Sequence, residues 1–252
     1  MKVAAIQHDI VWENAAATCA ALEPMVAGAA ACGARLVVLT EMFATGFSMS
    51  PDKIVEPING PTARWLVGQA KQHDVWICGS IPTAIDMNSK PVNRLVLASP
   101  DGSTRFYDKI HPFTYAKEDH FYAAGTGHAT IEIDGLLVSL FVCYDLRFAD
   151  EFWGLADGTD CYVVVANWPE SRRTHWKTLL QARAIENQAY VIGVNRVGEG
   201  GGLMYAGDSL IIDPLGEILA SGARTEAILI AEIEEALVAQ VRAKFPFLQD
   251  RR

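Results

Sequence analysis

Cysteine is scarce in this chain, and no two cysteines stand in a CxxC pair. Cys19, Cys32, Cys78, Cys143 and Cys161 are widely spaced and odd in number, which argues against a disulfide framework and for a reducing compartment. No apolar run reaches the roughly 18 residues of a membrane span. The opening "MKVAAIQHDI" has neither the long apolar core nor the small-residue cleavage site of a signal peptide. A soluble, cytoplasmic protein is expected. Positive charge is also in deficit: 21 Lys and Arg face 30 Asp and Glu, a net charge of -9. That excludes a general nucleic-acid binder and disfavours an anionic membrane surface as partner.

Several catalytic signatures are missing as well. There is no GxxxxGK[ST], so no P-loop, and no GxSxG, since "GFSMS" (46–50) fails at its last position. HExxH is absent, and no Cys/His cluster has metal-ligand spacing. The cluster "GEGGGL" (198–203) does not fit GxGxxG ahead of a helix and reads as a flexible loop. The six histidines are scattered; His111 and His175 read as surface or structural residues.

What the chain has in quantity is short, β-branched apolar runs. They fall at 3–7, 35–40, 75–81, 94–99, 104–109, 136–143, 161–167, 190–195, 209–213 and 227–233. Many are continuous rather than alternating, the pattern of strands buried on both faces. Helices are expected over 14–32, 62–73, 174–188 and 234–244. In the third, Trp176, Leu179, Leu180 and Ile185 form a stripe, with Thr174 as N-cap. "SPDG" (99–102) and "DPLGE" (213–217) read as hairpin turns. Strands and helices alternate among hairpins, which makes this a layered α/β protein with mixed sheets. The 252 residues show no linker, repeat or charge block, so one domain spanning 1–252 is the simplest organisation.

Chemistry gathers at strand ends. Glu41 follows "RLVVLT", Lys109 closes "TRFYDK" and Cys143 closes "LLVSLFV". Sites in α/β sheets collect outside the carboxyl ends of strands, so three strands could deliver a carboxylate, an ammonium and a thiol to one place. Each also has a plain structural reading: a solvated strand end, a surface lysine and a buried core cysteine. Together they form an acyl-transfer apparatus. The carboxylate takes the thiol proton, the thiolate attacks a carbonyl, and the ammonium and the backbone N–H of Tyr144 meet the oxyanion.

"LTEMF" (39–43), "YDKIHPF" (107–113) and "VCYDLRF" (142–148) resemble, in this order, the three signature segments of the nitrilase superfamily, carbon–nitrogen hydrolases with a Glu-Lys-Cys triad. The blocks 167–198 and 205–219 extend the resemblance along almost the whole chain. "TEMFATGFSM", "ANWPESRRTHW" and "RAIENQAYVIGVNRVG" are most similar to the ω-amidase branch. The resemblance implies a four-layer αββα sandwich of two mixed β-sheets flanked by helices. It implies a homodimer, with no metal and no organic cofactor. The implied activity is hydrolysis of the terminal amide of 2-oxoglutaramate or 2-oxosuccinamate. Carried over, Glu41 is the general base, Lys109 the oxyanion-stabilising lysine, Cys143 the nucleophile and Glu118 a second glutamate holding Lys109. Pro112 and Ala149 depart from residues common in the family beside the site, which touches pocket shape more than the triad.

An ω-amide substrate carries a carboxylate at its far end, which suits an arginine. Arg172 and Arg173 are the candidates, with Arg147 read as a structural partner of nearby carboxylates. Phe43, Tyr115 and Trp168 are candidate pocket walls. Competing readings are another hydrolase of the superfamily acting on an aliphatic amide, an N-carbamoyl compound or a nitrile; a non-enzymatic binding protein on the same fold; and a Cys–His hydrolase using His111 or His175.

Overall fold

Alternation along the first strand shows how the layers form. Val3 and Ala5 face one apolar cluster, while Ala4 and Ile6 face another. A strand's side chains point to opposite faces in turn, so a strand apolar at every position needs cover on both sides. In the computed structural model, which describes residues 1–86 and 88–251, one face meets helices and the other meets a second sheet.

In chain order the first half runs β1 (Lys2–Gln7), α1 (Ala15–Ala31), β2 (Leu36–Val38), α2 (Pro51–Ile54), β3 (Glu56–Pro57), α3 (Pro61–His73), β4 (Trp76–Ala84), β5 (Val92–Ala98), β6 (Thr104–Asp108) and α4 (Glu118–Phe121). The second half runs β7 (Thr130–Ile133), β8 (Leu136–Val142), α5 (Ala149–Leu155), β9 (Cys161–Ala166), α6 (Arg173–Asn187), β10 (Tyr190–Asn195), β11 (Val197–Gly200), β12 (Leu203–Ile212), β13 (Ile218–Ala223), β14 (Ala227–Glu232) and α7 (Glu235–Lys244).

One sheet has the order β14-β1-β2-β4-β5-β6, with β3 on β4; the other has β11-β12-β10-β9-β8-β7, with β13 on β12. Each has a parallel centre, β1-β2-β4 in one and β10-β9-β8 in the other, with antiparallel strands outside. Both sheets are therefore mixed, as expected. β14 returns from the far end of the chain to pair with β1, Lys2 opposite Glu232. Leu22 and Val26 of α1 and Leu66 and Ala70 of α3 cover the outer face of the first sheet. Trp176, Leu180 and Ala184 of α6 are buried against the second. Between the sheets lie Val3, Ala5, Leu95 and Leu97 on one side and Val138, Leu140 and Val142 on the other. Among the described residues, no helix is long and apolar enough to cross a membrane.

Three local expectations are corrected. Thr174 does not cap α6: a 3-10 turn over Glu170–Arg172 runs directly into the helix, which starts at Arg173. Ile185 is half exposed rather than on the buried stripe, because it lies outward against the Gly216 turn, while Arg183 and Asn187 are buried. The glycine cluster is not a loop. Val197–Gly200 is β11, paired antiparallel with Leu203–Ala206 of β12, and Gly201 and Gly202 take positive φ in the tight turn between them. Both expected hairpins form, at 99–102 between β5 and β6 and at 213–217 between β12 and β13.

Candidate active site

Glu41 lies just past β2, Cys143 just past β8 and Lys109 just past β6. The fold brings their side chains together where the two sheets meet. Glu41 is fully buried and Lys109 nearly so. Lys109 Nζ donates to Glu41 Oε1 at 2.9 Å and to Glu118 Oε2 at 2.8 Å, so the one ammonium is clamped between two carboxylates. Phe47 lies beneath it, ring centroid 5.1 Å from Nζ.

Two asparagines complete the polar cluster. Asn93, at the start of β5, donates from Nδ2 to Glu41 Oε1 at 2.9 Å and to Glu118 Oε1 at 3.3 Å. Asn167, just past β9, donates its backbone N–H to Glu41 Oε2 at 2.8 Å and its side-chain amide to the Glu41 carbonyl. Neither was singled out from the sequence. For Asn167 the signal was the one that marked Cys143: a polar residue ending an apolar strand, here "CYVVVA".

The cysteine sits in a strained turn. Its φ is +49°, a left-handed value uncommon for a residue with a Cβ and concentrated at functional sites. Val142 is still extended, and a 3-10 turn follows over Cys143–Arg147. Asp145 holds the turn: its Oδ2 accepts the Val142 N–H at 3.0 Å and the Tyr107 hydroxyl at 2.8 Å, and its Oδ1 accepts the His111 N–H at 2.9 Å. Tyr107 precedes Lys109 by two residues on the same segment, so Asp145 ties the cysteine turn to the lysine segment. His111 stacks on Phe148 with centroids 3.6 Å apart and takes Asp145 as ring partner, and His175 contacts Arg147.

The electrostatics follow from burial and pairing. Burial alone would lower Lys109, but the attraction of Glu118 and Glu41 outweighs it and pushes its pKa above the usual lysine range. Burial pushes Glu118 up, opposed by Lys109. The Cys143 thiol is raised well above its ordinary value, first by burial and then by the Glu41 carboxylate, with Lys109 pulling the other way. A thiol held high in this way needs a proton acceptor at the moment of attack, and Glu41 is the carboxylate beside it.

Cys143 opens onto a cavity of about 190 Å³. Its walls include Phe47, Met49, Phe113 and Trp168, and its polar lining includes Asn167, Arg147 and Arg172. Of the residues expected at the pocket, Trp168 and Arg172 line this cavity. Three other expectations are corrected. Phe43 is fully buried in the core under α3, its ring 5.7 Å from Trp65, packed where Gly79 leaves room. Tyr115 is 85% exposed and leans on Phe113 outside the cavity. Arg173 turns away and forms a two-pronged pair with Asp208, at 2.8 and 2.7 Å. Arg147 is corrected in the opposite sense. Instead of pairing with carboxylates, it lies 4.9 Å over Trp168 and lines the cavity.

Comparison with known proteins gives the family. The family model for carbon–nitrogen hydrolases matches residues 2–243. The chain belongs to the carbon–nitrogen hydrolase family. Within that family it is 40% identical over 252 residues to the omega-amidase YafV of Escherichia coli K12, covering 99% of this chain and 96% of the relative. It is 37% identical to a 2-oxoglutaramate amidase of Bacillus subtilis, covering 87% of this chain and 85% of that protein. Among solved structures, a carbon–nitrogen hydrolase superfamily protein of Xanthomonas campestris, with an arsenic adduct in its active site, superposes with a TM-score of 0.94. It is 36% identical and covers 100% of this chain and 97% of that one. Two mixed sheets flanked by helices are thus a carbon–nitrogen hydrolase fold, and the chain is a carbon–nitrogen hydrolase.

Proposed function

We propose that this hydrolase is an ω-amidase. It cleaves the terminal amide of 2-oxoglutaramate or 2-oxosuccinamate through a thioester on Cys143, with Glu41 as general base and Lys109 as the cation that meets the oxyanion. The observation that carries this reading is the convergence of a buried carboxylate and a buried ammonium on a thiol that lines a small cavity, whose charged side chains among the described lining residues are Arg147 and Arg172.

In the first half-reaction the sulfur attacks the amide carbon while Glu41 takes the thiol proton. Lys109 and the backbone N–H of Tyr144 hold the negative oxygen. Glu41 returns the proton to the nitrogen, the C–N bond breaks and ammonia leaves, with the acyl group on sulfur. In the second, water gives a proton to Glu41 and attacks the thioester. The C–S bond breaks, the sulfur recovers its proton and the diacid leaves. Glu118 keeps Lys109 in place throughout. Arg172, aided by Arg147, receives the distal carboxylate. Trp168 is the apolar wall along the substrate chain.

The five cysteines remain unpaired, which supports a reducing cytoplasm. The exposed Ile185, Leu215 and Ile218 around the turn after β12 support a homodimer, which light scattering in solution checks. The pairing of β14 with β1 supports one domain over 1–252. The test of the activity is ammonia release from 2-oxoglutaramate, 2-oxosuccinamate, glutamine, a simple aliphatic amide and a nitrile. The reading expects the 2-oxo acids to be strongly preferred. Preference for the simple amide or the nitrile overturns it.

A further inference from the structure

Five tyrosines are buried: Tyr107, Tyr122, Tyr162, Tyr190 and Tyr205. Four have a hydroxyl partner. Tyr107 donates to Asp145, Tyr122 to the Ser48 carbonyl and Tyr162 to the Phe152 carbonyl, while Tyr190 accepts the Glu234 N–H. Tyr205 has none among the described residues, although it is only 5% exposed. Its hydroxyl is not one of the buried side-chain atoms left without a partner, so it is open to the cavity that Tyr205 lines and is free to donate to a ligand there.

Tyr205 lines the cavity above Cys143. It stands on β12 opposite Gly198 of β11, where the partner residue has no side chain. Its ring is held from behind by the buried Arg196, whose guanidinium carbon is 4.7 Å from the ring centroid and whose Nη2 is anchored to Asp9 at 2.7 Å. Burial, followed by the influence of Arg196, Glu41, Cys143 and Arg172, leaves its hydroxyl pushed up to about 12. It is a proton-bearing donor at neutral pH, within electrostatic reach of both the nucleophile and the carboxylate-receiving arginine.

We infer that Tyr205 is the specificity residue for the carbon next to the substrate carboxylate, its hydroxyl donating to the 2-oxo oxygen while Arg172 holds the carboxylate. The inference rests on the ω-amidase reading and deepens it. The electrostatics point the same way. Arg147 and Arg172 line the cavity, Arg196 lies behind Tyr205, and no carboxylate side chain is among the described residues of the lining. A 2-ammonium group, as in glutamine, would meet cations and no counter-charge. A 2-oxo group meets a neutral donor that otherwise has no partner.

The test compares 2-oxosuccinamate with succinamate, which differ only in the 2-oxo oxygen, on the wild type and on Tyr205→Phe. The phenyl ring keeps its packing over Arg196. The expected result is a drop of about tenfold in kcat/KM for 2-oxosuccinamate, the scale of one hydrogen bond, with a much smaller change for succinamate, so that the wild-type preference is erased. Parallel losses on both substrates, or no loss on either, overturn the assignment. Wild-type protein that hydrolyses neither acid overturns the ω-amidase reading itself. That result is read from the wild type alone, whereas the Tyr205 assignment is read from the variant.

Discussion

Asn167 grips Glu41 at two points: its N–H lies 2.8 Å from Oε2, and its side-chain amide donates to the Glu41 carbonyl. Oε1 already receives Lys109 and Asn93. The carboxylate is thus fixed in position, with Oε2 carrying fewer donors than Oε1. Asn167→Ala keeps the N–H and removes the side-chain clamp. We expect a fall of about tenfold in kcat with little change in KM, because base orientation rather than binding is lost. Steady-state kinetics on 2-oxosuccinamate check this; a KM effect alone contradicts it.

Glu118 is argued to act through Lys109. Removing its charge leaves the ammonium with Glu41 as sole counter-ion, drawing Lys109 toward the base and away from the oxyanion. Glu118→Gln, which keeps the shape and an acceptor oxygen, should fold and lose on the order of 10²-fold in kcat. Glu118→Ala, which opens a gap around a buried cation, should also lose stability, by about 3–5 kcal/mol. Circular dichroism and denaturant titration separate the two variants. An active Glu118→Ala protein would show that Lys109 needs no second carboxylate.

The two neighbouring arginines separate cleanly. Arg172 lines the cavity, whereas Arg173 is paired with Asp208 at the start of α6. Arg172→Ala should raise KM for the 2-oxo acid amides by about tenfold or more with folding unchanged. Arg173→Ala should leave KM in place and lower the unfolding midpoint. Exchange of these effects would reverse the assignment of the pocket arginine.

His111 offers a pH test. The hydrogen bond that the His111 ring donates to Asp145 leads a set of influences that raise its pKa above 6.5. A group whose folded pKa is raised contributes stability that is fully present below its unfolded value, about 6.5. That contribution is lost as pH rises through the folded value. The destabilisation caused by His111→Gln should therefore be larger at pH 6 than at pH 9, as measured by thermal unfolding. Amide hydrolysis should survive the substitution, since the ring contacts Asp145, Glu151 and Phe148. An inactive, folded His111→Gln protein would favour a Cys–His mechanism.

These outcomes also show what the chain alone could convey. Glu41, Lys109 and Cys143 were legible because each ends or follows an apolar strand and because their neighbours carry signature segments. The strands themselves were legible from continuous β-branched runs, which the sandwich buries on both faces. The pocket was not. Phe43 and Phe47 are close in sequence and equally aromatic, yet one turns into the core beside Gly79 and the other faces Lys109. Arg172 and Arg173 are adjacent and identical in chemistry. Only the start of α6 sends one to Asp208 and leaves the other at the cavity. Asn93 and Asn167 passed unnoticed because an asparagine at a strand end has many ordinary uses, and its role depends on which carboxylate the opposite sheet brings to it. The glycine cluster was misread because its role, a thin hairpin beside Tyr205 and Trp12, is set by contacts from distant segments.

The central claim is that Cys143 carries the acyl group, and rapid-quench mass spectrometry of the wild-type protein with 2-oxosuccinamate tests it most directly. The account predicts a transient adduct equal to the substrate minus ammonia, located on the peptide containing Cys143, and neither adduct nor turnover with Cys143→Ala. Hydrolysis that continues in a folded Cys143→Ala protein, or an adduct on another residue, would contradict it.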